Sequence, residues 1–130
     1  MLCAAVLLWL AVPLSGSAQQ VTRADVETWI DDYAWWYETD SYPHDYLVAR
    51  VLRVAACETG GWDPRVINGQ RLGRLGEVGV GQFHARGIWW STPQAEAGHS
   101  RYDSEANTAA LVWAISRGLG AQHWYVCWRR

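Results

Sequence analysis

Glu58 stands where an acid could do proton-transfer chemistry. It closes an apolar helical pattern in the stretch Ala55-Ala56-Cys57-Glu58-Thr59-Gly60-Gly61-Trp62, and the two glycines end the helix. A carboxylate at a helix C-terminus faces the negative end of the helix dipole, which disfavours its charged form and raises its pKa. A carboxyl that stays protonated towards neutral pH is what a general acid requires. Taken alone, the stretch is also what a surface Glu in a frayed last turn looks like. Two other acids could join Glu58. Asp63, followed by Pro64, reads as a turn-former, and Glu77 reads as a hairpin residue in a Gly-rich segment.

The elements that must hold this stretch are mostly helical. Thr22 with Asp25 forms a weak capping box, and Val26, Trp29, Ile30, Tyr33 and either Trp36 or Tyr37 recur at helical spacing, predicting a first helix to about Tyr37. A turn at Thr39 to His44 follows. Asp45 is then read as the cap of a second helix whose Leu47, Val48, Val51, Val54 and Ala55 face a core while Arg50 and Arg53 face water; this helix delivers Glu58. From Trp62 to Gly81 the helical period vanishes, and Gly69, Gly73, Gly76, Gly79 and Gly81 predict loop with a short irregular β-hairpin. A short helix is expected from Gln82 towards Trp90, then loop from Ser91 to Tyr102. Asp103 caps a third helix running from Ser104 to about Arg117, with a narrow face of Ala106, Ala109, Ala110, Trp113 and Ala114, stopped by Gly118 and Gly120. The apolar ending from His123 to Trp128 is expected to lie against the second helix.

The first residues read as a leader rather than part of the folded protein. Leu2 to Leu14 is almost wholly apolar, and Pro13 with Ser15-Gly16-Ser17-Ala18 supplies a signal-peptidase site after Ala18. The n-region lacks Lys and Arg, so an uncleaved anchor is the alternative. Residues 19–130 form a single small domain on this reading, short enough that a staple would help its stability. Cleavage removes Cys3 and leaves Cys57 and Cys127. In an oxidising compartment these form a bridge, which the chain-entropy model values at roughly 4 kcal/mol; two buried free thiols are the alternative. His44, His84, His99 and His123 show no paired ligand spacing, so no metal and no cofactor is expected. The formal net charge is −2, every basic residue is Arg, and no basic stripe or tail is present, which argues against nucleic acid as a partner. Ten Trp are present, and packing accounts for most of them by default. Trp62 and the Trp89-Trp90 pair, in Gly-rich or loop-like sequence, are the ones expected to be exposed.

Four stretches in order carry a resemblance. They are Cys57-Glu58-Thr59-Gly60-Gly61, Gly76-Glu77-Val78-Gly79-Val80-Gly81-Gln82-Phe83, Asp103-Ser104-Glu105-Ala106-Asn107, and Trp124 with Cys127. Together they resemble the motifs of lysozyme-like peptidoglycan-cleaving domains, of the soluble lytic transglycosylase and resuscitation-promoting-factor types, over roughly Tyr46 to Trp128. The resemblance implies a mainly α, lysozyme-like (α+β) fold with an irregular hairpin or loop region beside an active-site cleft. It also implies cleavage of the β-1,4 bond between N-acetylmuramic acid and N-acetylglucosamine, with Glu58 as catalytic acid and then base. Such chemistry needs a protonated carboxyl at the leaving oxygen. In the family the substrate's N-acetyl group assists, so no second carboxylate is required, and the two cysteines are bridged.

The same resemblance places the companions of Glu58. Thr59 stands where the family usually has Ser, preserving a hydroxyl; a helix-terminal Thr is the plain alternative. Gln82 matches the family's Gln after a Gly-rich turn, where its amide can pair with a sugar amide. Trp62 is a further substrate-binding candidate. His84 could reach the cleft beside Gln82 or lie on the surface. Asp103 and Asn107 are read as holding the third helix. The family's Ala-Tyr-Asn-type motif has no counterpart in this sequence, which leaves hydrolysis and transglycosylation both open. The expectation is a secreted monomer that acts on peptidoglycan glycan strands, with no stable membrane insertion after leader cleavage. The competing reading is a non-catalytic wall-binding or assembly module of the same fold. A disulfide-stapled inhibitor or toxin-like domain is a third, and it leaves Gln82 and its glycines unexplained.

Overall fold

The computed structural model describes residues 19–130; the proposed leader lies outside the described residues. Helix α1 (Arg23–Tyr37) begins with the capping box expected of Thr22 and Asp25. The Asp25 backbone N–H donates to Thr22 Oγ1 at 3.2 Å, and the Thr22 N–H donates to Asp25 Oδ2 at 2.7 Å. These bonds hold the Asp25 carboxyl below its usual pKa. Val26, Ile30 and Ala34 are buried along one face. Between the two candidates at the end of that face, packing selects Tyr37, which is half-buried, over Trp36, which is 80% exposed.

Helix α2 (His44–Glu58) buries Leu47, Val51, Val54 and Ala55, as its apolar spacing requires. Its start corrects the sequence reading. Asp45 lies inside the first turn rather than at the cap, and Pro43 occupies the cap position without a side-chain bond. The N-terminal end is held instead by Glu38, whose Oε2 accepts the His44 N–H at 3.0 Å. Arg53 is exposed as expected, but Arg50 is half-buried, its guanidinium 4.2 Å from the centre of the Trp128 ring.

A His latch joins the two helices. The His44 ring stacks on Trp35 with centroids 3.8 Å apart, its Nδ1 lies 2.9 Å from Asp45 Oδ1, and its Nε2 lies 3.0 Å from Asp31 Oδ1. The second pairing lacks good hydrogen-bond alignment and acts chiefly as charge on charge. The Asp45 bond, with Asp31 assisting against desolvation, raises the His44 pKa above its ordinary value. A raised folded-state pKa stabilises below the unfolded value of about 6.5 and ceases to do so as pH rises through the folded value. The stability difference between the unaltered protein and His44→Gln is therefore expected to be largest in mildly acidic solution and to shrink on the alkaline side, as read from melting temperatures across pH.

After α2 comes a one-turn helix, α3 (Pro64–Ile67), in a segment expected to be loop. Asp63 caps it by accepting from the Arg65 N–H at 2.9 Å, and Pro64 at the first position pre-sets the turn. Asn68 then exchanges two bonds with Val21, of 2.8 and 2.9 Å, tying this segment to the residues just before α1. The expected hairpin is reduced to a single antiparallel bridge between Val78 and Phe83; no sheet forms among the described residues. The helix expected from Gln82 is also shorter and later, a 3₁₀ turn at Ile88–Ser91, followed by α4 (Pro93–Glu96) where loop was expected. Both α3 and α4 are single turns on an Asp-Pro or Thr-Pro start, too short for periodicity to reveal.

Helix α5 (Ser104–Ser116), capped by Asp103 as expected, is the centre of the molecule. Its burial is broader than the narrow alanine face suggested, because α1 and α2 both pack along it and surrounding loops close the rest. Residues from Ala106 to Val112 are all buried, the polar Asn107 and Thr108 included. Gly118 follows the end of α5 as expected, whereas Gly120 opens α6 (Gly120–His123), and α7 (Tyr125–Trp128) completes the fold.

The final helix returns to α2 through a Cys57–Cys127 disulfide with a Cα–Cα distance of 5.6 Å and a sequence separation of 70. Reducing it should lower unfolding stability by about 2–4 kcal/mol, measured by urea unfolding with and without reductant. No change in the midpoint would mean the bridge constrains nothing that the packing does not already hold. Among the described residues no helix is long and apolar enough to cross a membrane.

Candidate functional site

Glu58 is the last residue of α2, half-buried, with Thr59 as the cap behind it. Burial raises its pKa above the ordinary carboxylate value, and the charge of Glu77 adds to the effect. The end of the α2 dipole acts in the same direction. The side chain lies where two concavities meet. One, of about 360 Å³, is lined by Glu58, Glu77, Gln82, His84, His123 and Trp124 among others. The other, of about 310 Å³, runs past Thr59, Gly60, Asp63 and Arg71. Both share Glu58, Gly73, Arg74 and Gln82, so the acid sits midway along a continuous groove rather than at the bottom of a closed pocket.

The wall opposite Glu58 is the glycine loop, and its shape is set from beneath by Asn107. This side chain is fully buried in α5. Its Oδ1 accepts the Gly81 N–H at 2.8 Å, while its Nδ2 donates to Val78 O at 2.9 Å and Arg101 O at 2.8 Å. A Cβ at Gly79, whose φ is +76°, would stand 2.5 Å from Asn107 Nδ2, so the loop can settle on the amide only with glycine there. Arg101 donates to Gly76 O and Phe83 O, at 3.0 and 2.9 Å, and Trp124 Nε1 donates to Gly81 O at 2.7 Å. The Gly76 and Gly81 backbone groups thus find side-chain partners, and the Val78 and Phe83 carbonyls accept side-chain donors in addition to their bridge bonds.

Gln82 emerges from this loop with φ +46°, a left-handed conformation that costs a non-glycine residue about 1 kcal/mol or more. Its Nε2 donates to Gly79 O at 2.8 Å. That bond fixes the amide and leaves Oε1 as the acceptor offered to the groove. Its position also depends on Gly73, where a Cβ would lie 2.8 Å from Gln82 Oε1 and would collide with the Glu77 carboxylate. His84 lines the same concavity. Its Nδ1 accepts the Arg86 N–H at 3.0 Å, which assigns the proton of the neutral ring to Nε2 and makes that nitrogen a donor.

Other sequence-predicted residues are placed differently. Thr59 lies beside Glu58 but is fully buried, its hydroxyl donating to Ala55 O at 2.8 Å and accepting the Trp62 N–H at 2.9 Å. Its role in this geometry is to end α2 and hold the following turn. Trp62 lines neither concavity; it is half-buried against the core with the Arg23 guanidinium 5.0 Å from its ring centre. The exposure expected of Trp89 is corrected outright: it is 1% exposed, packed edge-on against Phe83, while Trp90 is 69% exposed. Asp63 reaches the smaller concavity, but its bonds to Arg65 and Arg71 hold its carboxyl down to about 2, so it stays an anion engaged with two arginines. Glu77, a possible second carboxylate read from the sequence as a hairpin residue, lines the groove, as do Trp124 of the fourth motif and Arg74 and His123, which the sequence reading does not name as site residues; a charged pair inside a Gly-rich run is the available signal for Arg74.

Among the described residues no three His, Cys, Asp or Glu side chains converge as a metal site would require. No family model, no curated protein and no solved structure matches the chain. The functional reading therefore stands on the residues, their order and the groove they build.

Proposed function

We propose that this protein is a secreted, lysozyme-like glycosidase that cleaves peptidoglycan glycan strands between N-acetylmuramic acid and N-acetylglucosamine, with Glu58 as the general acid. The observation that carries the reading is the position of Glu58: a half-buried carboxyl of raised pKa, midway along an open groove and facing a preorganised amide acceptor. An open groove suits a polymer cut within its length better than a small molecule enclosed on all sides. Glycosidic cleavage asks for a proton at the leaving oxygen, and a carboxyl whose ionised form is disfavoured supplies it.

In this reading the strand lies along both concavities with the scissile oxygen at Glu58. Gln82 Oε1 accepts from a sugar acetamide N–H, and His84 Nε2 offers a donor beside it. Arg74, on the wall common to both concavities, is placed to meet the acidic groups of the muramic side. The motif order in the sequence and the Cys57–Cys127 bridge, suited to an oxidising compartment, support the same assignment.

The test is incubation of the protein, residues 19–130, with purified peptidoglycan, followed by mass spectrometry of the soluble fragments. Released disaccharide-peptides are the expected result. Intact sacculi that retain bound protein but release no fragments would replace the enzyme with a wall-binding module.

A further inference from the structure

We propose that Glu77 is the second carboxylate of the Glu58 site, the base that takes a proton from an attacking water, so that cleavage ends in hydrolysis. The inference rests on the glycosidase reading and departs from the single-acid chemistry that the sequence motifs imply. Three observations carry it. Glu77 and Glu58 line one concavity of about 360 Å³, within the size range of small-ligand sites. Glu77 is also held rather than free: its Oε2 accepts the Leu75 N–H at 2.8 Å, and its own carbonyl accepts the Gly73 N–H at 2.8 Å. The absent side chain of Gly73 provides the space its carboxylate occupies. Finally, no arginine forms an ion pair with Glu77 among the described residues, in contrast to Asp63, whose charge is taken up by Arg65 and Arg71. A carboxylate fixed through one oxygen, half-buried and without a cation, keeps its other oxygen available to the groove. Its charge also reaches Glu58, as the shift of that acid shows.

The step balances without a further reactant. Glu58 gives its proton to the glycosidic oxygen as the bond from that oxygen to the anomeric carbon breaks. Water forms the new bond to the anomeric carbon, and the proton it loses goes to Glu77 Oε1. The products are a new hydroxyl end and a reducing end, and solvent then returns one proton from Glu77 to Glu58.

Glu77→Gln tests the charge apart from the loop, because the amide oxygen can still accept from Leu75. The unaltered protein and E77Q would be incubated with peptidoglycan, their melting curves compared, and the fragment ends identified by mass. Expected are reducing ends from the unaltered protein and a loss of about 10²-fold or more in their rate with E77Q, the residual product shifting to 1,6-anhydro ends. Reducing ends released by E77Q at the unaltered rate would overturn the assignment. So would 1,6-anhydro ends as the main product of the unaltered protein, a result that does not depend on how the variant folds. An unaltered protein that releases no fragments would overturn the glycosidase reading itself, and so separates the two failures.

Discussion

Glu58→Gln is expected to lower glycan-strand cleavage by about 10²–10⁴-fold, the usual range for loss of a positioned general acid, while leaving the protein at least as stable at neutral pH. The two effects have one origin. Burial and the nearby Glu77 raise the pKa of Glu58 in the folded protein, so ionising it costs more there than in the unfolded chain. Such a group favours the folded state below its unfolded pKa and withdraws that support as pH rises through the folded value. Gln carries no charge to desolvate, so the melting temperature of the variant relative to the unaltered protein should climb between pH 4 and pH 7. Activity of the unaltered protein should fall on the alkaline side as Glu58 ionises, at a pH above that of an ordinary Glu. A variant with lost activity and lower stability at pH 7 would mean that Glu58 serves the fold and not the chemistry.

The second large effect belongs to a residue that touches no substrate. Asn107→Ala is expected to destabilise the protein by about 3 kcal/mol or more and to disable the groove. The substitution leaves the Gly81 N–H and the Arg101 carbonyl without their partner, while Val78 O keeps the Phe83 N–H, and each such orphan costs about 1–3 kcal/mol. It also opens space under Gly79, which had been pressed against the amide. Gln82 then loses the loop conformation that holds it in the left-handed region. Urea unfolding measures the first effect, and fragment release at a temperature where the variant remains folded measures the second. A variant with full stability would show that the loop is shaped by Arg101 and Trp124 alone.

These two residues mark the limits of what could be read without the fold. Glu58 was legible because its signals are local: an apolar period leading in, two glycines leading out, and a cysteine beside it. Asn107 was legible only as a residue of a helix start, since its three partners lie on two loops, up to 29 positions away in the case of Val78. Glu77 looked like a hairpin residue because nothing in its neighbours announces that the loop folds back towards α2. Trp62 and Trp89 were misjudged for the reverse reason. Glycine-rich surroundings suggest exposure, yet an indole buries a large apolar area, and the loops carrying both residues turn them inward. Thr59 lies beside Glu58 through chain adjacency, and its hydroxyl is taken by the helix end it terminates.

The sequence by itself determined the three long helices, their caps at Thr22 and Asp103, the cysteine pair and the acid at the end of α2. Each of these depends on spacings of a few residues, or on the short list of cysteines available, and local physics suffices for them. Only the tertiary structure decided that α5 is buried almost all round, that the glycine region carries a loop without a sheet, and that Glu77 and Gln82 share a groove with Glu58. Those outcomes depend on long-range closure. The loop finds its hydrogen-bond partners in Asn107, Arg101 and Trp124, and a side chain's direction there follows from partners that sequence proximity does not reveal.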